Sequence, residues 1–84
     1  MYIVLVTVSF DSSYFAVKCN TEKEAIDKLN EYIEEEIKTV KEERNYTPIV
    51  RNFGDTLKEL VYEEHEFLVD SSSDVAEYRV IEVK

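Results

Sequence analysis

The sequence predicts an α+β fold in which one long amphipathic helix lies across one face of an antiparallel sheet of about four strands. Two observations lead to this prediction. Stretches near both ends of the chain are rich in β-branched and aromatic residues and alternate with the period of two that strands require. Between these stretches, apolar residues recur at three- and four-residue steps, as in a helix with one buried face. The predicted arrangement is ββαββ-like, within a single domain of residues 1–84.

The N-terminal segment predicts a β-hairpin. Residues 2–10 alternate as a strand, and Ile3 and Leu5 keep its second face apolar as well, so we expect the start of this strand to be covered on both sides. The polar residues 11–13 provide the turn, because short polar side chains bond their own backbone. Residues 14–19 predict the returning strand, which completes the first unit of the sheet.

The helix is predicted to begin at a capping box, in which Thr21 accepts a hydrogen bond from the amide of Glu24. It continues to about Arg44, and the segment before Pro48 ends it because a residue that precedes proline is pushed out of the α region. Its apolar stripe consists of Ile26, Leu29, Ile33, Ile37 and Val40.

The second half of the chain predicts shorter elements. Residues 49–53 indicate a short strand, followed by a turn at Gly54 and Asp55. Residues 67–70 and 76–83 indicate a closing hairpin across a serine-rich loop.

Residues 56–66 allow two interpretations. The spacing of Leu57, Leu60 and Val61 is helical, and Thr56 and Glu59 repeat the capping-box pattern. The same residues could instead form two strands around an acidic turn. We favour a second short helix over residues 56–63.

The composition excludes several classes of function. Nineteen acidic against ten basic residues give a net charge of −9, which repels phosphates, so we expect neither direct binding of nucleic acid nor a membrane partner. The single cysteine allows no intramolecular disulfide, and the apolar N-terminal run is far shorter than the roughly 18 residues of a membrane span. These features predict a cytoplasmic protein.

No arrangement of residues predicts catalysis. Cys19 and His65 are the one thiol–imidazole pair that the chain offers, and we interpret Cys19 as a small buried hydrophobe. The single glycine provides no phosphate-binding loop. The acidic run that contains His65 supplies too few converging side chains for a metal site by itself. We therefore expect a protein that is not an enzyme and holds no cofactor or metal.

The acidic residues are the candidate functional feature. Glutamates on a rigid helix place negative charges roughly 5–6 Å apart along its axis, similar to the phosphates of one nucleic-acid strand. Such a surface predicts a partner protein with a basic, nucleic-acid-binding surface. The candidate partner-binding residues are Glu31, Glu34, Glu35, Glu42, Glu63, Glu64 and Glu66, together with Tyr46 in the loop before the proline. In its small size, its acidity and its lack of catalytic motifs, the chain resembles the inhibitors of host nucleases that phages and mobile elements carry, including anti-CRISPR proteins. The resemblance is to this type of protein, in which carboxylates imitate the phosphates of a nucleic acid.

The alternative function is a structural or assembly module. The first strand is apolar on both faces at its start, and the last strand carries Ile81 and Val83 opposite Tyr78 and Val80. One helix cannot cover all of these positions. A homodimer or accessory subunit that associates through apolar sheet surface or sheet edges would cover them.

Overall fold

The computed structural model of the protein describes residues 1–8, 14–45, 47–63 and 74–84. These residues form an α+β fold with a five-stranded antiparallel sheet and one helix packed on it, which confirms the predicted class and corrects the expected number of strands from about four to five. The elements in chain order are β1 (Tyr2–Val8), β2 (Tyr14–Cys19), α1 (Glu22–Arg44), β3 (Ile49–Asn52), β4 (Leu57–Glu63) and β5 (Asp74–Glu82).

The strands lie in the order β2-β1-β5-β4-β3, and every neighbouring pair is antiparallel. Among the described strands, the first (β1) and the last (β5) therefore pair with each other within the sheet. The predicted N-terminal hairpin is confirmed by the pairing of β1 with β2, in which Val4 faces Val17. The predicted turn at 11–13 lies outside the described residues.

The helix is confirmed almost residue for residue. Thr21 adopts an extended conformation, and its hydroxyl oxygen accepts a hydrogen bond from the Glu24 amide at 3.1 Å, as the capping box predicts. At the other end, Asn45 has the left-handed conformation with φ of 58°, and its N–H donates to the carbonyl of Lys41. Helices commonly end with one residue in the left-handed conformation, and asparagine adopts this conformation more readily than most residues that carry a side chain.

The hydrophobic core lies between α1 and one face of the sheet, which we call the helix face. The helix contributes Ala25, Leu29, Ile33 and Val40, while Ile26 and Ile37 of the predicted stripe are only half-buried at its margins. The sheet contributes Val4, Val6, Cys19, Leu60, Tyr62, Ala76 and Tyr78. Burial of these side chains is the main source of stability in the fold.

Two contacts tie the helix to the outer parts of the sheet. The ring of Tyr32 packs edge-on against Phe15 of β2, with 5.5 Å between the centroids. The Lys58 ammonium on β4 donates a hydrogen bond to the side-chain oxygen of Asn30 at 2.7 Å. The helix thus reaches from β2 to β4, and all four residues of β3 are exposed beyond it.

The prediction of a second short helix over residues 56–63 is wrong, because this segment contains β4. Leu60 and Tyr62 point to the helix face, and the strand pairs with β3 on one side and β5 on the other. The carbonyl of Thr56, the predicted helix cap, accepts a hydrogen bond from the amide of Val80 at 2.9 Å. Pairing with two neighbouring strands outweighs the helical spacing.

The turn between β3 and β4 is confirmed. Gly54 has a φ of 138°, a backbone conformation that residues with a side chain rarely adopt. Its amide donates a hydrogen bond to the side-chain oxygen of Asn52 at 2.9 Å. The predicted strand over residues 76–83 is also present, as part of β5. Its predicted hairpin partner over 67–70 lies outside the described residues, and its described neighbours are β1 and β4.

The second face of the sheet, turned away from α1, we call the open face. Its side chains come from alternate positions of all five strands. They are Ile3, Leu5, Thr7, Tyr14, Ala16, Lys18, Ile49, Arg51, Leu57, Glu59, Val61, Val75, Glu77, Arg79 and Ile81.

Candidate functional site on the outer face of the helix

The candidate site is a row of carboxylates on the side of α1 that faces solvent. We call it the acidic stripe. At 100° of rotation per residue, its members fall within an arc of about 100° opposite the buried residues of the helix. The acidic stripe consists of Glu24, Asp27, Glu31, Glu34, Glu35 and Glu42, all of which are exposed.

The sequence dictates this exposure through the packing of the helix. Leu29, Ile33 and Val40 bury themselves against the sheet, so the opposite side of a regular helix must face water. The helix carries nine acidic and five basic residues, a net charge of −4. Four of the predicted partner-binding glutamates, at 31, 34, 35 and 42, therefore lie together on one accessible surface.

The spacing of the acidic stripe limits what it can imitate. Glu24 and Glu42 are 18 positions apart, which corresponds to about 27 Å along the axis. A DNA duplex of that length carries about 16 phosphate charges, against six carboxylates here, with Lys38 interposed among them. The stripe has about a third of the charge density of a duplex, which suits a protein surface with a few well-separated cations.

A shallow pocket of about 280 Å³ lies along the first turns of the stripe. Its lining residues are Thr21, Lys23, Glu24, Asp27, Lys28 and Glu31. Within it, the Lys28 ammonium stands 3.8 Å from a carboxylate oxygen of Glu31, and both side chains are about half exposed. An exposed ion pair of this kind contributes little to stability. A basic side chain from another molecule can therefore take the place of Lys28 beside Glu31 at a small cost in free energy.

The remaining predicted partner-binding residues are not joined to this surface. Glu63 is the last residue of β4, and its side chain lies outside the described part of the structure. Tyr46, Glu64 and Glu66 also lie outside the described residues. The structure therefore brings four of the predicted residues together on one exposed surface, and the role of all eight stays a prediction.

A polar cluster of the buried Tyr62 and Tyr78 with the partly exposed Glu36 was missed by the sequence analysis. The Tyr62 hydroxyl hydrogen-bonds with Tyr78 and with the Glu36 carboxylate. Burial raises the pKa of Tyr78 to about 12, and Glu36 adds to the effect. Burial, then Tyr78 and Glu36, raise the pKa of Tyr62. The signal was in the sequence, because Glu36 stands three residues after Ile33 and four before Val40, inside the apolar stripe.

Cys19 is confirmed as a buried residue of the core. Burial raises the pKa of its thiol, and the nearby Glu24 carboxylate raises it further. Both effects disfavour the thiolate, which is the reactive form. His65, its one candidate partner in the sequence, lies outside the described residues.

We expect the Cys19 thiol to resist reagents in the folded protein. An aromatic disulfide reagent should react with it at least about a hundredfold more slowly in the native state than in denaturant, since reaction requires local opening of the core. The rate can be followed by the absorbance of the released thiolate. A native rate equal to the denatured rate would contradict the assignment of Cys19 to the core.

Within residues 1–8, 14–45, 47–63 and 74–84, no group of three or more His, Cys, Asp or Glu side chains is arranged to hold a metal ion. In the same part of the chain, α1 is the only helix, and it is too polar to cross a membrane.

Comparison with known proteins gives no relative from which a function could be transferred. No protein-family model matches the sequence, and neither a curated protein nor a solved structure matches it significantly.

Proposed function

We propose that this protein is a non-catalytic binding protein that uses the acidic stripe to occlude a basic surface of a partner protein. The single observation that carries the proposal is the accessibility of all six carboxylates on one side of a capped helix. The helix fixes their backbone positions before binding, which reduces the conformational entropy lost on association. The partner surface is of the lysine- and arginine-rich kind that otherwise binds nucleic acid.

The uneven distribution of charge supports recognition over simple solubility. The open face carries three basic and two acidic side chains, a net charge of +1, whereas the helix carries −4. Acidic residues that served solubility alone would have no reason to avoid one face of the sheet. Nine of the nineteen acidic residues lie on α1, and the exposed carboxylates of the acidic stripe give the molecule a negative side that steers encounter with a cationic partner.

Charge reversal in the centre of the stripe tests the proposal. We expect the variant Glu31→Lys/Glu35→Lys to lose partners that the wild-type protein retains from a cell lysate at low salt, with binding to a captured partner at least about tenfold weaker. The matched control is Asp55→Lys/Glu82→Lys, which changes the net charge by the same amount through exposed residues outside the helix. Circular dichroism verifies that both variants keep the fold.

The comparison separates a site from a general effect of charge. Equal loss in both variants would mean that net charge alone governs binding, and undiminished binding of the helix variant would exclude the stripe as the contact surface. Competition adds a further readout: a nucleic acid bound by the captured partner should be displaced by the wild-type protein and not by the helix variant.

A second candidate function, an assembly module, is favoured by a different observation. Large apolar side chains remain exposed on the sheet side of the molecule, including Ile49, Phe53 and Ile81. Apolar association would persist at high salt, whereas binding through the acidic stripe would weaken because ions screen it. Sedimentation in low and high salt distinguishes the two.

A further inference from the structure

The open face exposes enough apolar surface to favour association with a partner. Eight of its side chains are aliphatic, and those of Ile3 and Leu5 on β1 and of Leu57 on β4 remain partly exposed. Only Val61, at one corner of the face, is already fully buried. An antiparallel sheet with one face in water normally carries polar residues there.

The charges of the open face fall into two adjacent rows of opposite sign. One row runs across the strands through Thr7, Glu77, Glu59 and Arg51, a net charge of −1. The next row runs through Ala16, Leu5, Arg79 and Leu57, a net charge of +1. Successive side chains on one face of a strand are about 6.6 Å apart, so these two rows lie side by side at the centre of the sheet.

The acidic row contains a pocket suited to a guanidinium group. The pocket measures about 220 Å³ and is lined by Thr7, Val8, Glu59, Val75 and Glu77. Glu59 and Glu77 stand directly opposite each other on neighbouring strands, an arrangement that is unfavourable unless a cation lies nearby. The Arg79 guanidinium of the same chain bonds Glu77 at 2.9 Å from one side. The valines offer apolar contact for the stem of an incoming arginine.

We propose that the open face binds a second copy of this chain, in a two-fold dimer that places Arg79 of each copy in the Glu59–Glu77 pocket of the other. The two-fold axis lies between the sheets, perpendicular to β5 at residue 78. Rotation about this axis stacks the acidic row of one copy on the basic row of the other. It also sets Ile81 over Val75 of the partner. Each contact then occurs twice, as an isologous interface requires.

The surroundings of Arg79 suit this exchange. Arg79 stands between Leu5 and Leu57 on its two neighbouring strands, so its stem projects from an apolar surround. Its pair with Glu77 is partly exposed, with 48% and 36% of the two side chains accessible. An exposed ion pair of this kind contributes little to stability. Replacing it by the same arginine–glutamate contact between two copies, in an interface without water, therefore costs little free energy.

The size of the open face reaches the lower limit for a specific dimer. Five strands at about 4.8 Å and a strand length of about 23 Å give a face of roughly 550 Å² per copy. The interface then buries about 1,100 Å² in total, above the roughly 1,000 Å² expected of specific association.

The distribution of charge makes a second copy an acceptable occupant despite its net charge of −9. Each open face has a net charge of +1, and the acidic row of one copy lies on the basic row of the other. The two helices lie on the outside of the dimer. With about 10 Å between the sheets and about 10 Å from each sheet to its helix, the helix axes are about 30 Å apart. This exceeds the Debye length of about 8 Å at physiological ionic strength, so their repulsion is screened.

Charge exchange between Glu77 and Arg79 tests the dimer. Sedimentation over a concentration series should show a dimer for the wild-type protein, and a dissociation constant at least about tenfold higher for Glu77→Arg alone and for Arg79→Glu alone. The open face of the two variants carries +3 and −1, so an equimolar mixture should form a heterodimer. The double variant Glu77→Arg/Arg79→Glu should restore the homodimer. The control Asp55→Arg, in the exposed β3–β4 turn, should dimerise like the wild type.

Three outcomes would overturn the proposal. The first is a wild-type protein that stays monomeric throughout the series. The second is a dimer that is indifferent to both single reversals. The third is a dimer that these reversals spare and that Val50→Lys disrupts, which would place the interface at the exposed edge strand β3. None of these outcomes decides whether the acidic stripe binds a partner, because the stripe and the open face share no residue. The variant Glu31→Lys/Glu35→Lys leaves the open face intact, so we expect it to dimerise like the wild type.

Discussion

Truncation of Leu29 to alanine is expected to lower the free energy of unfolding by about 2–5 kcal/mol, because it removes buried methyl groups and leaves a cavity. Leu29 is fully buried at the centre of the contact between α1 and the sheet. Leucine and alanine are both good helix formers, so the loss reports packing and not helix propensity. A domain of 84 residues has a stability of about 4–13 kcal/mol, so the variant should be substantially unfolded at modest denaturant concentration.

Chemical denaturation followed by circular dichroism measures this effect, with Ile49→Ala as the control. Ile49 is 59% exposed on β3, and the same kind of truncation there should change stability by less than about 1 kcal/mol. Leu60→Ala probes the core from the sheet side and should behave like Leu29→Ala. Similar small losses at all three positions would mean that the helix does not pack on the sheet as described.

Alkaline unfolding is the second large effect that we expect. The unfolded pKa of a tyrosine is about 10, whereas the pKa of Tyr78 in the folded protein is about 12 and that of Tyr62 is also raised. A raised pKa means that the folded state holds the proton more tightly than the unfolded state. The contribution to stability is therefore complete below pH 10 and is lost as the pH rises from about 10 through about 12.

Tyrosinate absorbance and circular dichroism, recorded together against pH, test this expectation. Tyr62 and Tyr78 should ionise only as the fold is lost, and Tyr62→Phe/Tyr78→Phe should move the alkaline midpoint to higher pH. The control is Tyr14→Phe, since Tyr14 is 74% exposed and its replacement should leave the midpoint unchanged. Complete ionisation of all six tyrosines in a protein with native dichroism would refute the assignment of Tyr62 and Tyr78 to a buried cluster.

The sequence was sufficient where one local pattern determines one element. The capping box at Thr21 and the apolar periodicity of the following residues predict α1, and both depend only on neighbours within the helix. The same holds for the acidic stripe at its outer surface. Once the buried residues are known, the opposite side of the helix follows from its geometry.

The sequence was insufficient where distant strands decide the outcome. Residues 57–63 have a helical spacing of apolar residues, yet they form β4 because β3 and β5 pair with both of its edges. No local pattern contains that information. The pocket between Glu59 and Glu77 could not be predicted for the same reason, since 18 positions separate the two residues and only the register between β4 and β5 brings them together.

The central position of β5 has a consequence for how the sheet assembles. Without β5, the strands of the described residues fall into two separate hairpins, β1 with β2 and β3 with β4. Each hairpin can form by short-range loop closure, whereas joining them requires a strand that begins at Asp74. Contacts of such large sequence separation slow folding. During synthesis on the ribosome, each of the two hairpins therefore keeps an unpaired edge until the residues of β5 have emerged, and the carbonyl of Met1 receives its hydrogen bond from Val83 only then.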